Sequence, residues 1–143
     1  MYYGDSVVTE LTEQECRERL AGEELGRLVV NVRDRLDIYP VNFVYEKGDI
    51  FFRTAPGTKL LELTIHTDVV FEVDGHTDSD AWSVVARGIA QRLERDAQVD
   101  EAYELPLHPW IPTLKMNWVR VHVTALTGRY FRREPEPDAP DPA

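Results

Sequence analysis

The chain is poor in cysteine and has no long apolar run, and these two absences limit its class. Cys16 is the single cysteine among 143 residues, which excludes an intrachain disulfide and a multi-cysteine metal site. No stretch approaches the ~20 apolar residues that a membrane-spanning helix needs, and the first residues do not have the pattern of a signal peptide. We therefore expect a cytoplasmic protein that does not enter a membrane.

Basic residues are also scarce. Lysine and arginine number 16 against 26 acidic residues, which gives a formal net charge of −10. Nucleic acids and anionic membrane surfaces would repel such a molecule, so neither is expected as a partner. A site for an anion must then be a local exception. The length predicts one domain, large enough to bury a core without disulfides or metal ions.

One stretch has the features of such a local anion site. The apolar run Asp49–Phe52 predicts a strand, Pro56–Gly57 predicts a turn, and Thr58 is a suitable N-cap for a following helix. Free backbone amides at a helix start, together with the positive end of the helix dipole, bind phosphate groups well. The side chains available to assist there are those of Arg53, Thr54, Thr58 and Lys59.

Spacing alone leaves a second interpretation open, because strand–turn–helix connections also occur where nothing binds. A nucleoside triphosphate loop of the Walker type is excluded by its own pattern. Phe52 stands where that loop has its first glycine, and Leu60 follows the lysine where the loop has serine or threonine.

The rest of the chain predicts a mainly β (α+β) fold with a few short helices. Thr12 and Glu15 have the spacing of a reciprocal capping box, so a helix should begin at about residue 13 and end near Gly22. Six antiparallel strands favour closure into a small barrel, since closure removes exposed edges. The predicted strands cover residues 27–32, 38–45, 49–53, 68–75, 81–93 and 118–126, the last continuing to 132, with further helices after residue 58 and over 96–105.

Two glycine and proline positions carry their own predictions. Pro40 lies within the second strand and indicates a bulge or an unpaired position there. Gly88 indicates a bend in the fifth strand, whose residues Trp82, Val84 and Ala86 should share a face opposite to Ser83 and Val85.

The last ten residues have a composition of their own. Residues 134–143 contain four of the nine prolines and four acidic residues with no base, a composition typical of disorder. We therefore predict a single domain over residues 1–133 and a disordered tail over 134–143.

The order of these segments resembles the flavin-binding split β-barrel family related to pyridoxamine 5′-phosphate oxidase. The resemblance covers about residues 10 to 132 and is nearest to the small bacterial branch that includes nitroimidazole-resistance-like proteins. Its matching segments are Leu25–Leu28, Tyr39–Phe43, Arg53–Leu60, Phe71–Asp74, Trp82–Val85, Pro109–Trp110 and Thr127–Arg129.

The resemblance implies a six-stranded split barrel that forms a homodimer with two equivalent FMN sites at the subunit interface. It places Arg53 and Lys59 on the FMN phosphate, with Thr54, Gly57 and Thr58 assisting. The backbone of Val41, Asn42 and Phe43 would lie along the flavin ring. The resemblance also assigns Trp82, Ser83 and Arg129 to the flavin site, from either subunit. A structural role remains as the alternative for two of them, Trp82 as a core or interface aromatic and Arg129 as a surface ion-pair residue.

One departure from the family restricts the chemistry. The basic, histidine-containing cluster that would hold pyridoxal phosphate is missing, so vitamin B6 oxidation is not expected. The four histidines, His66, His76, His108 and His122, lie in different segments and do not form a metal-ligand pair.

Three functions follow from the resemblance. The first is an FMN-dependent oxidoreductase acting on an unidentified small molecule, with no residue identified as catalytic. The second is a protein of the same fold that uses the deazaflavin F420 or haem. The third is a flavin-binding or ligand-free module that performs no turnover.

Overall fold

Long antiparallel strands with alternating buried and exposed residues form most of the computed structural model, which describes residues 8–57, 60, 67–110, 117–136 and 138–140. The strands are β1 Val8–Glu10, β2 Leu25–Val32, β3 Arg35–Asn42, β4 Val44–Glu46, β5 Asp49–Thr54, β6 Thr67–His76, β7 Asp80–Arg92 and β8 Asn117–Arg132. The helices are α1 Glu13–Ala21 and α2 Asp96–Tyr103.

The eight strands form one antiparallel sheet, and the two strands at the ends of its order follow each other in the sequence. Its order is β3-β2-β6-β7-β8-β5-β4, and β1 pairs with β8. The terminal strands β3 and β4 are separated by Phe43 alone, so the sheet curls round until its first and last strands are consecutive. The backbone N–H of Phe43 donates to the carbonyl of Glu24 at 3.0 Å, which directs β3 toward β2 at this point. The barrel is therefore split at Phe43.

This split explains part of the difference from the six strands expected. The predicted second strand is divided at Phe43 into β3 and β4, and the short β1 lies in a segment for which no strand was predicted. Of the two alternatives predicted at Pro40, a bulge or an unpaired position, the bulge is wrong. Pro40 pairs with Arg27 in an unbroken register, on a strand whose other side has no partner in the sheet order. Proline is tolerated there because an edge strand leaves one row of N–H groups unpaired.

The pairing of β7 with β8 is interrupted beside Gly88, and the extra residue lies on β8 rather than on the strand for which a bend was predicted. The register changes from Arg87 opposite Ala125 to Gly88 opposite Val123, which leaves Thr124 as the extra residue. A Cβ atom at Gly88 would lie 2.2 Å from the carbonyl oxygen of His122, so the two backbones approach too closely for any side chain at this position.

The local helix signals are confirmed where the structure describes them. Thr12 caps α1, with its hydroxyl accepting from Glu15 N at 3.1 Å and the Glu15 carboxylate accepting from Thr12 N at 2.9 Å. Helix α2 ends two residues before the predicted end. The helix predicted after residue 58 lies, apart from Leu60, outside the described residues.

The sheet encloses the main core, and a smaller cluster lies outside it beneath α2. The predicted faces of β7 are correct, since Trp82, Val84 and Ala86 are buried while Ser83 and Val85 are half-buried. The smaller cluster contains the buried residues Leu93, Ala102 and Trp118, with Phe51, Val99, Leu105 and Leu107 packed against them. Among the described residues, no helix has both the length and the apolar character needed to cross a membrane.

Candidate functional site

The end of β5 carries two of the predicted site residues, Arg53 and Thr54. Burial alternates along this strand, so the two side chains leave it on opposite faces. Both residues pair with β8, Arg53 with Trp118 and Thr54 with Asn117. On the other side of β5, the described pairing with β4 ends at Phe51. The last residues of β5 are therefore bordered by a strand on one side only within the described part of the chain.

Arg53 is a half-buried cation without a carboxylate partner among the described residues. Its guanidinium carbon lies 5.3 Å from the centre of the Trp118 ring and 5.7 Å from that of Tyr103. These two rings meet edge to face with centroids 5.4 Å apart. The Nε atom of Arg53 is buried and makes no hydrogen bond to the residues that the structure describes. Because a buried donor is costly to leave unpaired, this arrangement favours a bound anion.

Thr54 presents a second unsatisfied group at the same place. The residue is 3% exposed, and its Oγ1 atom is buried without a hydrogen-bond partner. Buried hydroxyls are nearly always paired, and leaving one unpaired costs roughly 1–3 kcal/mol. The third such atom among the described residues is Nε1 of Trp118, the register partner of Arg53. All three unpaired atoms thus lie at one end of the β5–β8 pair.

A single anion can reach both Arg53 and Thr54 only beyond the end of the strand, because their side chains lie on opposite faces. Pro56 and Gly57 beyond this end are exposed and lie in a turn, where Gly57 has φ +70° and a Cβ atom would have no described neighbour within 4 Å. The described part of this turn is therefore accessible from solvent. The other two predicted phosphate ligands, Thr58 and Lys59, lie outside the described residues.

The predicted ring-edge residues lie at the split in the barrel, where β3 ends and β4 begins. Pairing between β4 and β5 ends at Val44 opposite Phe51, so Asn42 lies two residues before this last pair and Arg53 two residues after it. The Asn42 side chain donates to the carbonyl of Glu24 at 3.2 Å and accepts from the backbone N–H of Trp110 at 2.8 Å.

Val41 and Phe43, on either side of Asn42, are turned mainly toward the core. Val41 is half-buried and packs against the main core. Phe43 is 2% exposed and meets the edge of Phe71 at 4.8 Å. Its ring is therefore a core group, and its N–H is already bonded to Glu24.

The remaining predicted residues, Trp82, Ser83 and Arg129, lie at the other end of β8. Ser83 and Arg129 are register partners and line a cavity of about 540 Å³. Trp82 is 8% exposed and belongs to the core, with the Arg19 guanidinium 5.1 Å from its ring. Arg129 is eleven residues beyond Trp118, which is roughly 36 Å of extended strand. Within one chain, these residues and Arg53 do not form one site.

A second half-buried arginine in this sheet, Arg27, is paired with carboxylates. Arg27 donates to the carboxylate of Glu72, and also to Asp74 at 2.6 Å. Burial raises the pKa of Glu72, although the guanidinium of Arg27 acts in the opposite direction. Arg27 thus has two carboxylate partners where Arg53 has none in the described part of the chain.

Sequence reasoning missed the partners of Arg53 and of Asn42. Trp118 and Tyr103 lie 65 and 50 residues from Arg53 in the sequence, and only the β5–β8 register and the position of α2 bring them together. The contact of Trp110 with Asn42 likewise depends on the course of a loop. The closely spaced prolines around Trp110 were the one available signal that this loop is fixed.

Comparison with known proteins identifies the family of this chain. The family model described as pyridoxamine 5′-phosphate oxidase matches residues 12–130, which is most of the chain. The chain belongs to the pyridoxamine 5′-phosphate oxidase family. The match contains β2 to β7 entirely, together with both helices, so it includes the end of β5 and the turn after it.

Three relatives in or near this family share much of the sequence. A candidate pyridoxamine 5′-phosphate oxidase from Corynebacterium glutamicum is 46% identical, with a TM-score of 0.84, covering 94% of this chain and all of its own. A protein from Mycobacterium smegmatis described as FAD binding is 41% identical, with a TM-score of 0.78 over 87% of this chain and 99% of its own. An uncharacterised Mycobacterium tuberculosis protein is 46% identical over 89 residues, 62% of this chain and 81% of its own.

Proposed function

We propose that this protein binds a flavin nucleotide with its phosphate at the end of β5. The observation that carries the proposal is the pair of buried atoms there without a hydrogen-bond partner in the described part of the chain, Nε of Arg53 and the hydroxyl of Thr54. Phosphate oxygens accept hydrogen bonds from both kinds of group, and charge-assisted bonds are the strong class. Lys59, the partner of Arg53 in the family resemblance, would add a second cation.

FMN is the flavin that we expect, and FAD is the second candidate. The observation that favours FAD is the 41% identical Mycobacterium smegmatis protein, which is described as FAD binding. FAD contains the same phosphate, linked to a second one. The exposed position of Gly57 suits either flavin, since a Cβ atom there would meet no described residue within 4 Å.

In this proposal the flavin supplies the redox chemistry, and the chain binds and orients it. Arg53, Thr54 and the turn after them hold the phosphate, and the segment Val41–Phe43 lies along the ring. The substrate is a small molecule of unknown identity. Oxidation of a B6 phosphate is not proposed, because the sequence has no basic, histidine-containing cluster for a second phosphate.

We further propose that the functional unit is a homodimer. The outer face of the sheet exposes large apolar side chains, with Leu36 69%, Ile38 60% and Ile89 45% exposed. Val29 and Val70, both half-buried, continue this surface in register with Ile38. A second copy on this face would cover it, and in the family resemblance Ser83 and Arg129 come to the flavin site from either subunit.

The absorption spectrum of freshly purified protein tests the proposal, together with the mass of any cofactor released on denaturation. We expect a flavin spectrum and the mass of FMN, or of FAD for the second candidate. A deazaflavin or haem spectrum would keep the fold and reject the flavin. A colourless protein that takes up neither FMN nor FAD would contradict the proposal and favour a ligand-free module.

A further inference from the structure

Trp110 is a large aromatic residue that is exposed to solvent and contacts Asn42, one of the predicted ring-edge residues. It is 60% exposed, while Trp82 and Trp118 are buried. Single exposed apolar residues are ordinary on protein surfaces. Trp110 differs because its backbone is fixed, since its N–H donates to Oδ1 of Asn42 at 2.8 Å.

The loop before Trp110 is held at its other end as well. Leu105 and Leu107 pack against the cluster that contains Trp118. Leu105 N donates to the carbonyl of Ala102 at 3.0 Å, and Pro106 and Pro109 restrict the backbone between these contacts. The loop therefore runs from α2 to the split in the barrel with both ends attached, and little entropy remains to be lost when Trp110 meets a ligand.

Both the nitrogen and the oxygen of the Asn42 side-chain amide make hydrogen bonds that hold this arrangement. Its Nδ2 donates to the Glu24 carbonyl and its Oδ1 accepts from Trp110, so the side chain joins β3, the segment before β2 and the loop. The 2.8 Å bond holds the Trp110 backbone against the Asn42 side chain, next to the segment that is proposed to lie along the flavin ring.

We propose that Trp110 stacks on the isoalloxazine ring of the bound flavin, and that Asn42 is the positioning residue that holds it there. This inference rests on the proposed flavin site and adds a contact to the ring rather than to the phosphate. A ring contact acts equally on FMN and riboflavin, which share the ring and differ in the phosphate. A phosphate contact acts on FMN alone.

The test measures binding and fluorescence of both flavins with three variants. Trp110→Ala should weaken FMN and riboflavin binding alike, by about two- to tenfold, the range for one aromatic pair. Trp110→Phe should retain most of the affinity. Its bound flavin should nevertheless fluoresce more strongly than in the wild type, because indole in contact with an excited flavin quenches it by electron donation and a phenyl ring does not. His108→Ala, an exposed residue of the same loop, is the control and should change neither property.

Asn42→Ala should partly reproduce the fluorescence gain of Trp110→Phe, since the loop is then released from β3. If the wild type binds flavin and Trp110→Phe leaves its fluorescence unchanged, the stacking inference is wrong while the proposed function stands. If the wild type binds no flavin, the proposed function fails and this inference fails with it.

Discussion

Asp80 organises the turn between β6 and β7 through several hydrogen bonds. Its carboxylate accepts from the hydroxyl of Thr77 at 2.6 Å and from that of Tyr130 at 2.9 Å. These bonds, that of Thr77 first, hold the pKa of Asp80 below its ordinary value of 3.8. A carboxylate with a depressed pKa stabilises the folded state at pH values above its unfolded pKa, and this contribution is lost as the pH falls through the folded pKa.

Asp80→Asn should therefore lower the midpoint of denaturant unfolding at neutral pH. The difference from the wild type should begin to shrink as the pH falls below about 3.8, where Asp80 of the unfolded wild type takes up a proton, and should vanish once the pH has also passed the lowered pKa of the folded state. Asp78→Asn, in the same turn, is the control and should have no comparable effect. A difference that stays constant across this pH range would show that Asp80 does not act through its charge.

Residue-level predictions succeeded where the interacting groups are close in sequence. The Thr12–Glu15 capping box is set by three residues of local spacing, and it is confirmed. Arg53 was identified from its place before a turn, but its stacking on Trp118 depends on strand register across 65 residues. That Thr54 lacks a partner also depends on what surrounds it, which no local pattern contains.

The irregular pairing of β7 with β8 beside Gly88 can be tested by a single substitution. Gly88→Ala should destabilise the protein by about 1–3 kcal/mol, because its Cβ would meet the His122 carbonyl and a backbone cannot move aside cheaply. Gly22→Ala is the matched control. Its Cβ would lie 3.5 Å from the nearest atom, the Glu18 carbonyl oxygen, and its φ of −87° suits alanine. Urea unfolding curves of equal midpoint for the two variants would contradict this account of the bulge.

Strand identities were predictable at this scale because burial follows a period of two. β5, β6, β7 and β8 appear close to their predicted bounds. The division of the second strand at Phe43 was not predictable, since the apolar pattern continues through it and the break arises from the bond between Phe43 N and the Glu24 carbonyl. The three residues of β1 are all exposed, so this strand has no alternation of buried and exposed residues by which the sequence could have indicated it.

For the whole molecule, the central prediction is dimerisation. Sedimentation at micromolar concentration should give the mass of two chains, since the outer face exposes the large apolar side chains of Leu36, Ile38 and Ile89 and a second copy would cover them. Ile38→Glu should shift the protein toward monomer, because a charge would be buried in that interface. It should also weaken flavin binding if the partner completes the site. A monomeric wild type would remove the basis for a composite site.

The account depends most directly on whether a phosphate is held at the end of β5. FMN and riboflavin should be titrated into apo-protein of the wild type, Thr54→Val and Thr54→Ser, at one fixed salt concentration. A hydrogen bond to a charged group contributes about 1.5–3 kcal/mol, so Thr54→Val should weaken FMN binding roughly ten- to a hundredfold. Riboflavin binding should not change, and Thr54→Ser, which keeps the hydroxyl, should resemble the wild type.

Thr54→Val should also distinguish a ligand-binding hydroxyl from a structural one in the apo-protein. A structural hydroxyl would lower the unfolding midpoint when it is removed. Because the hydroxyl is buried without a partner, its removal should leave the unfolding midpoint unchanged or raise it. Lys59→Ala should likewise weaken FMN and not riboflavin, as the sequence predicts. The measurement that decides the matter is the ratio of FMN to riboflavin affinity. We predict a clear wild-type preference for FMN that is lost in Thr54→Val, and a wild type that binds both flavins equally would contradict the phosphate site.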